Sequence, residues 1–233
     1  MFDYLIWLEE VDSTQKVLKE GSFPQGTVVV SKRQKGGKGR KGRRWESQEG
    51  GLYFSFVLSE NFFKDLRGYP LVVALSLLDA LGNLGFPCAI KWPNDVYLSG
   101  KKVAGILVEK TADKVITGVG VNVNQREFKG ELSHRATSLA NYTGRELVVR
   151  EVLSAILQDL AETLTSFAER GFSAYRDRIR SSLLYLGEEV VITDEKELVT
   201  GIFRDVGEDG SLILETSEGR RMVLAGDLTL RVV

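Results

Sequence analysis

The thirteen residues from Lys32 to Arg44 read KRQKGGKGRKGRR and run up against Trp45; eight are cations, four are glycines and none is acidic. Glycine lets backbone N–H groups turn towards a ligand, and the cations add charge, so the segment is suited to closing on an anion, phosphate first. A solvated basic arm or a nucleic-acid tether is the other reading of such a run. The G-x-x-x-x-G-K-[ST] register is absent from it, and Gly37-Lys38-Gly39 is only a GxG, which predicts little alone. The whole chain has 31 basic and 32 acidic residues; without this run 23 basic residues face 32 acidic ones. A protein that tracks nucleic acid spreads positive charge over a face. One basic loop on an acidic body points instead to a small anionic ligand.

Three further segments have residue types that can act on such a ligand. Lys91-Trp92-Pro93-Asn94-Asp95 places a cation, an amide and a carboxylate around a proline that ends a strand. Lys91 can neutralise charge, Asn94 can donate to phosphate oxygens, and Asp95 can hold Mg²⁺ or orient a cation. A plain turn explains the same residues, because Pro-Asn-Asp is good turn chemistry. In Lys102-Val103-Ala104-Gly105-Ile106-Leu107-Val108-Glu109 a lysine enters a strand, and Gly105 leaves room for close approach. In Gly118-Val119-Gly120-Val121-Asn122 the glycines fall on one strand face, either as the wall of a slot or as a tight sheet contact.

Other chemistries have little to work with. Cys88 is the only cysteine and His134 the only histidine, so a disulfide within the chain, a Cys-based metal site and a Ser–His relay lack support. Glu9, Glu10 and Asp12 interrupt any apolar leader, and no apolar run approaches membrane-spanning length. A cytoplasmic enzyme without a membrane partner is expected.

The elements that must position these residues follow from pattern. Strands are expected at Phe2–Leu8, Thr27–Ser31, Leu52–Leu58, Ala89–Trp92, Val96–Leu98, Val103–Glu109 and Val115–Asn122. Asp12-Ser13-Thr14 caps a short helix, Pro70 opens a long apolar one through Leu84, and two more cover Arg150–Glu169 and Phe172–Ser182. After Gly187 five short strands with tight turns suggest a small barrel. The expectation is an α+β chain: a mixed, largely antiparallel sheet flanked by helices over 1–186, then a small β-barrel over 187–233.

In their order, GKGRKGRRW at Gly37–Trp45, KWPND at Lys91–Asp95, KVAGILVE at Lys102–Glu109 and GVGVN at Gly118–Asn122 resemble the catalytic domain of the biotin protein ligases. Asp12-Ser13-Thr14 and Ala136-Thr137-Ser138-Leu139 agree with that family, and the likeness spans roughly Val11 to Leu139. The resemblance implies a class II synthetase-like catalytic domain followed by an SH3-like barrel. It also implies a two-step ligase: the carboxylate of biotin attacks the α-phosphate of ATP, and a lysine on a biotin carboxyl carrier protein then takes the acyl group. Chemistry of this kind needs positioning and charge neutralisation more than a protein nucleophile.

Carried across residue by residue, the resemblance assigns Ser13, Thr14 and Gln15 to the ureido ring of biotin, with Gln34 nearby. Gly37, Lys38, Gly39 and Arg40 would wrap the biotin carboxylate and the adenylate phosphate. Lys102 would bind the carboxylate or the transferred phosphoryl oxygens, with Gly105 and Gly118 bordering the slot. Lys91, Asn94, Asp95 and Asn122 fall on the nucleotide and magnesium side, while Arg43 and Trp45 act as the loop closes. Lys102, Arg40, Lys91 and Asp95 are the candidate catalytic group.

Lys38 and Lys41 replace arginines usual in the family, turning a bidentate fork into a point charge. Gln15 stands where asparagine is common. The catalytic segments begin within the first dozen residues, so a ligase without operator binding is expected, and a homodimer is a family trait. A lipoate or octanoate transferase of the same wider fold and a nucleic-acid-binding module are the rival readings. A segment so rich in glycine and like charge should stay mobile until its anion arrives.

Overall fold

Residues 1–111, 113–193 and 197–231 are described by the computed structural model. Seven strands make the main sheet: β1 (Tyr4–Val11), β2 (Thr27–Gln34), β3 (Leu52–Ser59), β4 (Cys88–Lys91), β5 (Asp95–Leu98), β6 (Lys101–Lys110) and β7 (Lys114–Val121). Their order is β1-β2-β3-β7-β6-β5-β4. Only the β1–β2 pair is parallel. A parallel pair needs a crossover, and helix α1 (Thr14–Glu20) lies within it.

Period-two alternation sorts the strand residues between two layers. Val28, Val30, Phe54 and Phe56 enter the main core with α2 (Tyr69–Asn83), whereas Val29 and Val57 turn to the other face and meet Leu18 of α1. The short α3 (Leu132–Arg135) and α4 (Leu139–Thr143) lie in a stretch the sequence reading left without elements. Behind α2 packs α5 (Val149–Arg170), whose buried Val152, Ile156, Leu160 and Leu164 recur every four residues; α6 (Ser173–Ser182) completes the layer.

The C-terminal strands β8 (Glu189–Thr193), β9 (Leu198–Val206), β10 (Leu212–Thr216), β11 (Gly219–Val223) and β12 (Asp227–Leu230) form an antiparallel sheet in the order β11-β10-β9-β8-β12. Its buried Val190, Ile192, Phe203 and Leu214 are continuous with the main core. Trp92 Nε1 donates to Gly210 O at 3.0 Å, and Asp205 accepts from Arg176 at 2.9 Å and Arg180 at 3.0 Å. These contacts tie the small sheet to the end of β4 and to α6. No helix among the described residues is long and apolar enough to cross a membrane.

Candidate active site

The expected basic loop is shorter than its sequence. Strand β2 continues to Gln34, so Lys32 and Arg33 are strand residues, and Lys32 lies 2.9 Å from Glu9. Arg33 approaches Glu10 and Glu49, Lys35 pairs with Glu10 at 2.8 Å, and Arg44 with Glu46 at 3.6 Å. Half of the run is therefore neutralised by nearby glutamates. What remains is a tight hairpin: Gly39 N donates to Arg43 O at 2.7 Å and Trp45 N to Gly37 O at 2.9 Å. Lys41 (φ 56) and Gly42 (φ 70) turn its tip. The segment is a closed hairpin in this structure. Arg40 donates to Asn94 Oδ1 and to Gly226 O, both at 3.2 Å, while Lys41 and Arg43 reach Asp227. The protein's own oxygens hold the hairpin shut. Lys38 lines the cleft and makes no ion pair among the described residues.

A hydrogen-bonded chain joins this hairpin to the start of α1. Thr14 N and Oγ1 lie 2.9 and 3.2 Å from Gln34 Oε1, Gln34 Nε2 donates to Ser47 Oγ at 2.9 Å, and Ser47 Oγ reaches Trp45 O at 3.1 Å. Ser55 of β3 meets Thr14 Oγ1 at 2.7 Å. Gln34 thus braces Thr14 and the loop exit, and Ser47 and Ser55 are members that the sequence reading missed. Ser13 caps α1 at the rim of the cleft. Gln15 is buried and lines the cleft, and its Nε2 donates to Leu107 O at 3.1 Å.

The glycines of β6 and β7 form a floor. Gly105 and Gly120 are directly paired across the strands, and both lie under the Trp45 indole; a Cβ built on them would come within 2.8 and 2.5 Å of it. A Cβ on Gly118 would meet Gln15 at 2.7 Å. Gly118 therefore borders Gln15 while Gly105 borders Trp45, and Gly120 belongs with them. In a regular strand Lys102 and Gly105 would face opposite sides. The register shift opposite Val96/Tyr97 brings them together, with Lys102 Nζ 3.3 Å from the Gly105 Cβ position.

Lys102 Nζ stands 2.7 Å from Asp95 Oδ1 and 5.1 Å from the centre of the Trp45 ring. Asn122 Nδ2 donates to Thr137 O, and Thr137 N to Lys102 O, so Asn122 steadies the backbone that carries Lys102. Asn94 Nδ2 donates to Ile106 O while its Oδ1 accepts from Arg40, so one amide fixes both β6 and the loop. Lys91 Nζ donates to Tyr97 Oη at 3.1 Å and lies over the rings of Tyr97 and Tyr185. Burial, helped by the Lys102 and Arg135 charges and opposed by Asp95 and Asp227, holds this amine below the usual lysine range. Neither Tyr97, Tyr185 nor Asp227 carried a signal in the sequence.

These groups line one cleft of about 730 Å³. Buried polar atoms are nearly always hydrogen-bonded, so exceptions carry information. Among the described residues four such side-chain atoms lack a hydrogen bond, and three of them, Trp45 Nε1, Asp95 Oδ1 and Gln125 Oε1, belong to residues of this cleft. Asp95 Oδ1 has its charge partner in Lys102 but no aligned hydrogen bond. Trp45 Nε1 and Gln125 Oε1 thus lack a hydrogen bond at residues that line a basic, glycine-floored cleft. No group of three or more His, Cys, Asp or Glu residues is placed to hold a metal among the described residues. Asp95 alone suits a magnesium ion that takes its other ligands from phosphate and water.

Residues 7–125 match the Biotin/lipoate A/B protein ligase family, and residues 185–231 match the Biotin protein ligase C terminal domain. The biotin protein ligase from Aquifex aeolicus, solved in complex with biotin and ATP, is 46% identical; the match covers 100% of both chains with a TM-score of 0.93. The biotin–[acetyl-CoA-carboxylase] ligase of Paracoccus denitrificans is 32% identical over 95% of this chain and 98% of its own. The bifunctional ligase/repressor BirA of Bacillus subtilis is also 32% identical, over 99% of this chain and 75% of its own length. With the basic hairpin, the Lys102–Asp95 pair and the glycine floor gathered in one cleft, the chain belongs to the biotin/lipoate protein ligase family, and within it to the biotin protein ligases.

Proposed function

We propose that this cleft joins biotin to ATP and passes the biotinyl group to a lysine of a biotin carboxyl carrier domain. The observation that carries the reading is the Lys102–Asp95 pair set on the glycine floor of Gly105 and Gly120, in a cleft also lined by Lys38 and Arg40. In the first step a biotin carboxylate oxygen bonds to the α-phosphorus of ATP. The bond to the bridging oxygen breaks, giving biotinyl-5′-AMP and pyrophosphate. No proton need move, so the protein's task is to hold two anions in line and offset their repulsion.

On this reading Lys102, on the glycine floor, meets the carboxylate and α-phosphate, with Arg40 and Lys38 of the hairpin lining the same cleft. Gly118 and Gln15 close the end of the slot suited to the ureido ring, with Thr14 held in place by Gln34. Lys91, beside Tyr97 and Tyr185, is assigned to the nucleotide side. Asp95 would hold magnesium, which would supply charge neutralisation on the phosphates. In the second step a neutral lysine amine of the carrier bonds to the acyl carbon, AMP departs with the electron pair of the broken C–O bond, and the amine loses its proton to solvent.

The test is biotin-dependent exchange of pyrophosphate into ATP, followed by the mass of a carrier domain incubated with enzyme, biotin and MgATP. Exchange with biotin and a biotinylated carrier are expected. Exchange with lipoate and none with biotin would overturn the reading.

A further inference from the structure

Asp227 of the C-terminal sheet pairs with the hairpin that would cover the phosphate. Asp227 opens β12 and faces back across the cleft. Arg43 Nη2 donates to its Oδ1 at 2.7 Å, and Lys41 Nζ stands 3.4 Å from its Oδ2. Lys41 Nζ also points at Thr193 O, 3.4 Å away on the paired strand β8. Next to Asp227, Gly226 O accepts from Arg40. Three consecutive cations of the hairpin therefore anchor on the two strands β8 and β12.

The hairpin tip supplies a second, independent observation. Lys41 is a non-glycine residue in the left-handed region (φ 56, ψ 31), a conformation that persists only where the surroundings fix it. Its side chain is three-quarters covered, and the atoms covering it include Asp227 and Thr193. Glycines at 37, 39 and 42 would let this segment take many other shapes. The anchor therefore adds to the hairpin's own backbone bonds in fixing where it sits, and it lies 184 residues further along the chain.

We propose that Asp227 is a positioning residue that holds the phosphate hairpin closed, so that the C-terminal sheet takes part in retaining the acyl adenylate. Asp227 holds Lys41 and Arg43, and so fixes the hairpin whose Lys38 and Arg40 line the cleft. It touches no reacting atom. Its effect is on how often the hairpin opens, and therefore on how fast a bound adenylate escapes. The second clause of this proposal rests on the ligase reading; the first rests on the hairpin alone.

Two measurements on the full chain test both clauses, comparing the parent with Asp227→Asn and Asp227→Glu. The first is limited trypsin digestion without ligands, following cleavage after Lys41 and Arg43, which needs no turnover. The second is escape of pre-formed biotinyl-5′-AMP, chased with unlabelled adenylate and read by filter retention. Asp227→Asn keeps the shape and removes the charge, so cleavage and escape should each rise about five-fold, the scale expected for a partly exposed ion-pair network. Asp227→Glu should recover most of the parent behaviour with unchanged thermal stability. Cleavage in Asp227→Asn within two-fold of the parent would overturn the latch even if the chain is a ligase. Faster cleavage with unchanged adenylate escape would overturn its role in retention.

Discussion

Replacing Lys102 separates the charge needed for chemistry from the charge needed for folding. Lys102→Met keeps the length of the side chain and removes the ammonium, with two consequences. At the reacting centre it removes the cation nearest the glycine floor. Loss of one preorganised group of this kind costs about 10²–10³ in rate, so biotin-dependent pyrophosphate exchange should fall at least about 100-fold. In the fold it strands Asp95, whose Oδ1 is 2.7 Å from the ammonium and makes no hydrogen bond. Breaking a fully buried pair costs roughly 3–5 kcal/mol. Here the side chains are 29% and 21% exposed, so water screens the orphan and about 1–2 kcal/mol is the reasonable scale. For a chain of this size that is a fall in Tm of about 2–8 °C. Adding Asp95→Asn should restore most of the Tm and none of the exchange. Calorimetry and exchange assays on the parent, both single variants and the double variant give the full cycle. Exchange by Lys102→Met within a few-fold of the parent would refute the assignment of Lys102. A Tm loss untouched by Asp95→Asn would refute the ion pair as its source.

Gly118→Ala introduces a Cβ 2.7 Å from Gln15, which is buried and tied to Leu107 O, so the neighbour has little room to retreat. It should lower stability by about 1–3 kcal/mol and raise the KM for biotin more than that for ATP; equal effects on both would argue against Gly118 bordering the biotin end. The half-buried Lys91 has a lowered pKa, so the unfolded chain holds that proton more tightly than the folded one. Its contribution to stability then rises with pH from its lowered folded value up to the usual 10.5. Lys91→Met should flatten this rise in a series of melts across that range, and parallel pH profiles for parent and variant would show that the rise has another cause.

Much of the fold was legible because its signals are local. Alternating apolar residues mark β3 and β7, Pro70 in the first turn marks α2, and Ser99-Gly100 marks the turn joining β5 to β6. The short helices α3 and α4 escaped notice, although Ser138 caps α4 and Gly144 (φ 75) ends it. Four or five residues are too few for apolar periodicity to rise above noise. Within the site, the basic run, KWPND and the β6–β7 glycines were readable as candidates from residue type and spacing. Their division of labour was not. Asn94, Asn122 and Gln34 looked like ligand contacts, yet each also braces the backbone or a neighbouring side chain. A side-chain amide has the same donors and acceptors for either task, so its composition cannot tell them apart.

By itself the sequence determined which chemistry was possible: cations on a glycine-rich segment, one well-placed lysine, one carboxylate, and no nucleophile–histidine pair. These are properties of residue type, and they survive without coordinates. Tertiary structure decided which cations remain for a ligand. Of the eight in Lys32–Arg44, most meet acidic partners, from Glu9 at one end of the chain to Asp227 at the other. Ion pairing depends on distance in space and not along the chain. The basic run therefore announces an anion site, but only the fold sets Lys38 and Arg40 in the lining of the cleft.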